Sequence, residues 1–256
     1  MREKTVTSKA YDRSVRRIHE IAENFEHEGD IIYKGRNTLR RVDVEGRPLV
    51  VKRYKKPNIF QRIAYTWFQP SKARRAFDFA ERLLSIGIDT PAPAAWIERR
   101  RGGMTSEYFF FSEPTGATSM TQLATEGSPL PADAADALVR FLASMHSRGF
   151  LHGDLNLSNI LFTRTPDGGF GFTVIDTNRS KWIDRKPTEK ELIENLVRLS
   201  HNRAILSDVG RRYAAIAGLD PERFARWLVK RLDSFEAVRE RRARIKKLLH
   251  RITGKK

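Results

Sequence analysis

The sequence predicts an α+β chain of two lobes, the first rich in strands and the second in helices. Three observations carry this reading. Before Pro114 short apolar runs alternate with glycine and proline turns. After Pro114 the apolar residues recur mainly at helical spacing. Two short apolar strands interrupt that second half around residues 160–175. A length of 256 residues suits one large domain or two small lobes. We place the division between residues 113 and 114. Hydrophobic residues make up 40% of the chain, enough to build a core.

The elements follow in order. Tyr11, Val15, Ile18, Ala22 and Phe25 stand at helical spacing and predict a leading helix. Ile31–Tyr33 and Leu39–Val44 read as strands, Glu45-Gly46 as a turn and Leu49–Tyr54 as the returning strand. Asn58–Phe68 holds Ile59, Phe60, Ile63, Trp67 and Phe68, a short amphipathic helix with a heavy aromatic load. The next helix opens at Pro70 or Ser71 and runs to Gly87, and Pro91 and Pro93 forbid its continuation. Ala95–Ile97 and Tyr108–Phe111 are strands on either side of the Gly102-Gly103 turn. Ala132–Arg148 is an amphipathic helix with Leu138, Phe141, Leu142 and Met145 on one face. Ile160–Phe162 and Phe172–Ile175 are strands joined by the Pro166–Gly169 turn, and from about Glu189 onward the pattern is helical. No internal repeat is visible.

Composition narrows the chemistry. The chain has no cysteine, which excludes disulfides, thiolate catalysis and cysteine-ligated zinc and fits a reducing compartment. The opening MREKTVTSKAYDRS holds no apolar run of signal-peptide type, and no apolar stretch approaches the roughly 20 residues of a membrane span. The expectation is a cytoplasmic protein, or one held peripherally on the cytoplasmic face of the inner membrane. The net charge is +17 and the isoelectric point about 10.4. Such a field favours nucleic acid, an anionic leaflet or a phosphorylated glycolipid. The charge is concentrated at the end: Arg239–Lys256 carries nine Lys/Arg and one acid, Glu240. Val238, Ile245, Leu248, Leu249 and Ile252 thread an apolar stripe through that run. It reads either as a helix lying on a membrane surface or as a last helix packed on the second lobe.

The segment His152-Gly153-Asp154-Leu155-Asn156-Leu157-Ser158-Asn159-Ile160 carries the strongest signal. Four residues separate Asp154 from Asn159, the spacing of a kinase catalytic loop. At that spacing Asp154 can accept the proton of an attacking hydroxyl while Asn159 turns back to hold Mg²⁺ on the phosphates of ATP. A second carboxylate, Asp176, ends the apolar strand of Thr173-Val174-Ile175, and with an amide oxygen it makes a hard-oxygen site suited to Mg²⁺. Either Asp154 or Asn159 alone would shape a turn; the three together point to phosphoryl transfer. Lys52, inside the Val-rich strand Leu49-Val50-Val51-Lys52-Arg53, can point its ammonium at the α- and β-phosphates. Such a lysine needs a carboxylate partner, and the helix from Ser71 offers Asp78 or Glu81, with Asp78 the better placed relative to Gly87. Lys34-Gly35-Arg36-Asn37-Thr38 lies where a phosphate-covering loop belongs but has one glycine, Gly35. Lys34, Arg36 and Arg40 could supply phosphate contacts instead, and an ordinary hairpin turn explains the segment equally well. The reading is therefore a bilobal protein-kinase-like fold.

HGDLNLSNILF followed by VIDTNR resembles the lipopolysaccharide kinases that phosphorylate Kdo or heptose of the inner core. VVKRYKKPN, SKARRAFDFAERLLSIGIDTPAP and FFFSEPTGA resemble the same group. The likeness covers about residues 30–200. The loop itself is shared with aminoglycoside phosphotransferases and RIO-type kinases; the ending Asp176-Thr177-Asn178-Arg179 separates the chain from eukaryotic-type protein kinases, which have Asp-Phe-Gly there. The resemblance implies Asp154 as base, Asn159 and Asp176 as metal ligands and Lys52 as the phosphate-binding lysine. It implies that Ser112 and Glu113 belong to an adenine-binding hinge acting through backbone groups, and that His152 is a structural member of the loop. Arg179 would bind substrate phosphate or brace the metal loop. The glycine-poor loop, and Asp78 where a glutamate is expected, depart from the pattern. The implied acceptor is an anionic glycolipid, Kdo-lipid A or its core, with ATP and Mg²⁺ as cofactors. The alternatives are a protein or small-molecule kinase of the same fold, and a non-catalytic pseudokinase; nucleic-acid binding ranks behind both.

Overall fold

The computed structural model describes residues 2–253, and its contacts divide the chain into two compact units. One unit holds the chain up to Ala117 together with Thr173–Ser180; the other holds Thr118–Phe172 and the chain from Lys181 onward.

The first unit opens with Arg2–Thr7 (β1), which the sequence did not announce as a strand. Its six residues hold one large apolar side chain, and the strand exists through its antiparallel pairing to β5, Lys4 opposite Glu98 and Val6 opposite Trp96. The leading helix is split into a 3₁₀ turn, Lys9–Ser14, and an α-helix, Val15–Glu23 (α1). Asp30–Lys34 (β2), Thr38–Val44 (β3) and Arg47–Arg53 (β4) follow, then Ile59–Ile63 (α2), a π-helical turn at Ala64–Phe68, and Lys72–Ser85 (α3). Pro93–Arg101 (β5) and Met104–Ser112 (β6) are longer than their apolar centres indicated. The six strands form one sheet in the order β1-β5-β6-β4-β3-β2. Strand periodicity sends alternate residues to opposite faces. Val51, Ala95, Ile97, Phe109 and Phe111 meet Ile18, Ile21 and Phe25, so α1 covers one face. Trp96, Tyr108 and Tyr54 meet Tyr65, Ala73 and Phe77, so α3 and the π-helical turn cover the other. Thr173–Ser180, expected with the second lobe, packs in this unit: Val174 N–H donates to the Asp89 carbonyl at 2.9 Å beside a parallel bridge between Asp89 and Thr173. The boundary falls between Ala117 and Thr118 rather than between residues 113 and 114.

The second unit is mainly helical. Thr118–Ser119 (β7), Ala132–Ser147 (α4), Phe150–Leu151 (β8), Ile160–Arg164 (β9), Phe170–Val174 (β10, whose last two residues belong to the first unit) and Lys181–Trp182 (β11) precede Glu189–Leu196 (α5), Arg203–Ala217 (α6) and Pro221–Thr253 (α7). The α4 helix packs on α6, and α6 and α5 on α7, burying Leu138, Leu142, Ile205, Val209, Phe224, Leu228 and Leu232. Each such side chain withdrawn from water contributes about 1.5–3 kcal/mol. The apolar stripe predicted at the chain's end begins in α7, with Val238 and Ile245 both exposed. The side chains of Leu248, Leu249 and Ile252, and residues 254–256, lie outside the described residues. Among the described residues no helix is long and apolar enough to cross a membrane.

Candidate active site

In the first unit β4 places Lys52 between Leu39 of β3 and Phe110 of β6. Its Nζ lies 2.8 Å from Asp176 Oδ1 and 5.1 Å from the centre of the buried Tyr54 ring. Asp176 holds a left-handed backbone (φ 58°, ψ 42°), which costs an ordinary residue roughly 1–2 kcal/mol and which Asp tolerates better than most. Asn178, nearly fully buried, helps to fix it: its Nδ2 also donates to Asp176 Oδ1. Nothing in the local sequence around Asn178 announces this role.

The expected pairing of Lys52 with Asp78 is corrected. Asp78 faces solvent on α3 and sits 3.5 Å from Arg74, one helical turn earlier, and Glu81 is likewise exposed. The inward face of α3 consists of Ala73, Ala76, Phe77, Ala80 and Leu83, leaving both acids on the other side. What α3 contributes instead is positive charge. Burial, then the nearby Arg36, Arg179 and Arg75, hold the Lys72 ammonium below its usual pKa, while Asp176 pulls the other way. Arg75 Nε is buried with no acceptor among the described residues. Arg36, Arg75 and Arg179 thus lie within electrostatic reach of Lys72, and Lys52 is paired with Asp176, so the cations outnumber that carboxylate, an excess that suits phosphate oxygens. Lys72 and Arg75 were missed; their signal was the RR/K run opening α3, which sits at the helix end where anions are favoured.

The turn Gly35–Asn37 lies between β2 and β3 as expected and is closed by Gly35 N–H to the Asn37 carbonyl at 3.0 Å. Arg40 is not available to phosphate: it is buried and donates to the carbonyls of Glu28 and Gly29. At the expected hinge Ser112 is buried at the end of β6, and the Glu113 N–H is already given to the Ala92 carbonyl at 2.8 Å. A nucleotide cannot use that amide as it stands, and the Glu113 carboxylate accepts from Tyr11 Oη at 3.0 Å.

In the second unit the loop after β8 is closed on itself. Asp154 N–H donates to His152 Nδ1 at 3.1 Å, and Asn159 Nδ2 donates to the Asp154 carbonyl at 2.9 Å. Asn156 Oδ1 caps the turn through the Asn159 N–H, and Leu157 N–H reaches the Leu199 carbonyl at 3.0 Å. His152 is fully buried. Its carbonyl accepts from Asn195 Nδ2 at 2.7 Å. That bond leaves Asn195 Oδ1 as acceptor for His146 Nε2 at 3.0 Å, so His146 Nδ1 accepts from Tyr213 Oη at 2.8 Å. A directional chain, Tyr213 to His146 to Asn195 to His152, therefore holds the loop from inside the helices. Burial pushes the His146 imidazole down to about 4, keeping it neutral, the state the chain requires. The sequence reading missed it, although His146 follows Leu142 by one turn on the apolar face of α4.

Asp154 also lines a cavity of about 500 Å³ wholly within the second unit. Ser158, Arg198, His201, Phe235 and Arg239 share its wall. The Arg198 guanidinium lies 6.0 Å from the Phe235 ring. Neighbouring arginines are paired: Arg203 with Asp233 and Glu236, Arg211 with Glu222, Arg231 with Glu194. No carboxylate among the described residues forms an ion pair with Arg198 or Arg239.

Each unit by itself offers an oxygen of the kind a hard cation takes: in the second, Asn159 commits its amide nitrogen to the loop rather than its oxygen, and in the first, Asp176 is a carboxylate. Mg²⁺ carried by phosphates needs only one or two such protein oxygens.

A family model described as lipopolysaccharide kinase (Kdo/WaaP) matches residues 33–226. A 3-deoxy-D-manno-octulosonic acid kinase of Vibrio parahaemolyticus is 23% identical over 170 residues, covering 64% of this chain and 69% of the relative. Among solved structures, WaaP in complex with acyl carrier protein superposes with a TM-score of 0.61 at 19% identity, over 90% of this chain and 98% of that one. That likeness bears out the protein-kinase-like α+β fold. The chain belongs to the lipopolysaccharide kinase (Kdo/WaaP) family and is an ATP-dependent phosphotransferase.

Proposed function

We propose that the chain phosphorylates a hydroxyl of an inner-core sugar, Kdo or heptose, on lipid A, with Asp154 as the base. The observation that carries this is the cavity lined by Asp154, whose wall also holds Arg198 and Arg239, neither of them in an ion pair among the described residues. The Vibrio relative is by name a kinase of a sugar acid. A sugar carboxylate or phosphate would find its counter-charge on Arg198 and Arg239, and Phe235 offers an apolar face for a sugar ring. Asp154 then accepts the acceptor's proton at its carboxylate, while its own N–H and carbonyl stay tied to His152 and Asn159. The loop is thus held before substrate arrives, which preserves the geometry that transfer needs.

In this reading the cluster of Lys52, Lys72, Arg36 and Arg75 binds the nucleotide's phosphates, Arg179 adds to it, and Asp176 supplies an oxygen to the metal; Asn159 is the further ligand that the family resemblance implies. ATP provides the phosphoryl group, and Mg²⁺ when bound neutralises charge on its phosphates. The basic run from Arg239 to Lys256 supports peripheral attachment to an anionic membrane, since Arg239 belongs both to that run and to the cavity wall.

The test is a transfer assay with the full chain, ATP and Mg²⁺, offering Kdo-lipid A, an aminoglycoside and an unrelated protein, read by mass. One added phosphate on the glycolipid alone is expected. Arg198→Ala should raise the KM for the glycolipid about tenfold, the value of one charge-assisted contact, and leave the KM for ATP unchanged. Transfer to the aminoglycoside or the protein in place of the glycolipid would overturn the assignment.

A further inference from the structure

The aromatic segment after β4 contributes no residue to the Lys52–Asp176 pair or to the wall of the cavity lined by Asp154. In α2 and the π-helical turn Phe60 is 78% exposed, Trp67 63% and Phe68 81%, with Ile59 half exposed beside them. Large apolar side chains gathered on one surface mark an interaction site. This is no loose loop. Asn58 and Gln61 form a capping box, and Tyr65 is buried edge-on against Tyr108. Arg62 donates to the carbonyls of Thr105 and Arg101, and Thr105 N–H donates to Thr66 Oγ1 at 3.0 Å. One side of the segment is bolted to the sheet, so the rings on the other side are held outward. A π-turn within a helix is itself a feature enriched at functional positions.

The charge around it selects the partner. Gly46–Phe77 contains nine Lys/Arg and no Asp or Glu. Lys55 and Lys56 stand exposed immediately before α2. Aromatic and aliphatic side chains on an acid-free basic surface match the boundary between headgroups and acyl chains of an anionic bilayer, where rings insert and lysines meet phosphates. A second copy of the chain would bring the same cations face to face, which opposes self-association through this surface.

We propose that α2 and the Ala64–Phe68 turn dock on an anionic phospholipid bilayer, with Phe60, Trp67 and Phe68 inserted and Lys55 and Lys56 on the phosphates. This goes beyond the glycolipid-kinase reading, since bilayer binding is measured without any transfer.

The test is flotation of the full chain with vesicles of phosphatidylglycerol mixed with phosphatidylethanolamine, against vesicles of phosphatidylcholine. The unaltered chain should bind the anionic vesicles. Phe60→Ser combined with Phe68→Ser should weaken that binding at least about tenfold, the loss of two inserted rings. Lys55→Glu combined with Lys56→Glu should remove the preference for anionic over neutral vesicles. Both variants should keep the melting temperature and the turnover on detergent-dispersed acceptor. Undiminished vesicle binding by the Phe variant would overturn the proposal and leave attachment to the basic C-terminal run. Unchanged vesicle binding with lost self-association in light scattering would overturn it in favour of a second copy, and a parent chain that ignores anionic vesicles would overturn it outright.

Discussion

Asn195→Ala cuts, at its middle, the buried chain behind the loop proposed to carry the base. The substitution removes the donor that holds the His152 carbonyl at 2.7 Å and the acceptor that takes the His146 Nε2 proton at 3.0 Å. Both histidines are buried, so two polar groups lose their partners where bulk water does not reach. Each such group costs about 1–3 kcal/mol, and a water taking the place of the amide recovers part of the sum. A loss of about 2–4 kcal/mol follows, equivalent to roughly 5–15 °C in melting temperature for a chain of this size. His152 also carries the Nδ1 that accepts the Asp154 N–H, so the loosened loop should lower kcat at temperatures where the variant is still folded. The KM for ATP should not move, because the cations proposed to bind its phosphates belong to the other unit. Circular dichroism melts and steady-state kinetics read the two effects separately. Tyr213→Phe is the control: it removes only the hydroxyl facing His146 Nδ1, about 1 kcal/mol, with little change in kcat. If Asn195→Ala melts like the parent and keeps its kcat, the buried chain does not position the loop.

Further outcomes follow from single residues. His146 has a folded pKa of about 4 against about 6.5 unfolded, so between those values the unfolded chain binds more protons and stability rises with pH. Its contribution is complete above about pH 6.5 and is lost as the pH falls toward about 4, by roughly 3 kcal/mol; His146→Gln should flatten that part of the melting-temperature profile. Lys72→Ala and Arg75→Ala should each raise the KM for ATP about tenfold and leave the KM for the acceptor unchanged, as measured by initial rates. Gly149→Ala should destabilise by about 2–4 kcal/mol in urea melts, since φ is +76° there and the new Cβ would lie 2.2 Å from the Ile183 carbonyl oxygen.

Local pattern carried most of the fold. Most strands of the sheet carry short apolar runs bounded by turns, α3 and α4 have clean apolar faces, and the spacing of Asp154 and Asn159 is a property of one short segment. The misses share a cause: each depends on residues far apart in the chain. β1 is a strand only because β5 offers it an edge. Lys52 takes Asp176, 124 residues away, in place of Asp78 because the backbone of Thr173–Ser180 is fastened to Asp89. Asn195 reads as one polar residue in a short helix until the fold sets it between His146 and His152. Arg40 looked like a phosphate ligand and is instead consumed by two carbonyls whose exposure no local pattern announces. The cavity wall combines the loop with Arg198, just beyond α5, and Arg239, in the second half of α7.

Single-turnover transfer from ATP to Kdo-lipid A by Asp154→Asn tests the central claim most directly. The amide keeps the backbone contacts to His152 and Asn159 and removes only the base. The account predicts a chemical step slower by about 10²–10⁴, with ATP and acceptor affinities within about twofold of the parent. A rate within about threefold of the parent would contradict it, because no general base would then have been lost.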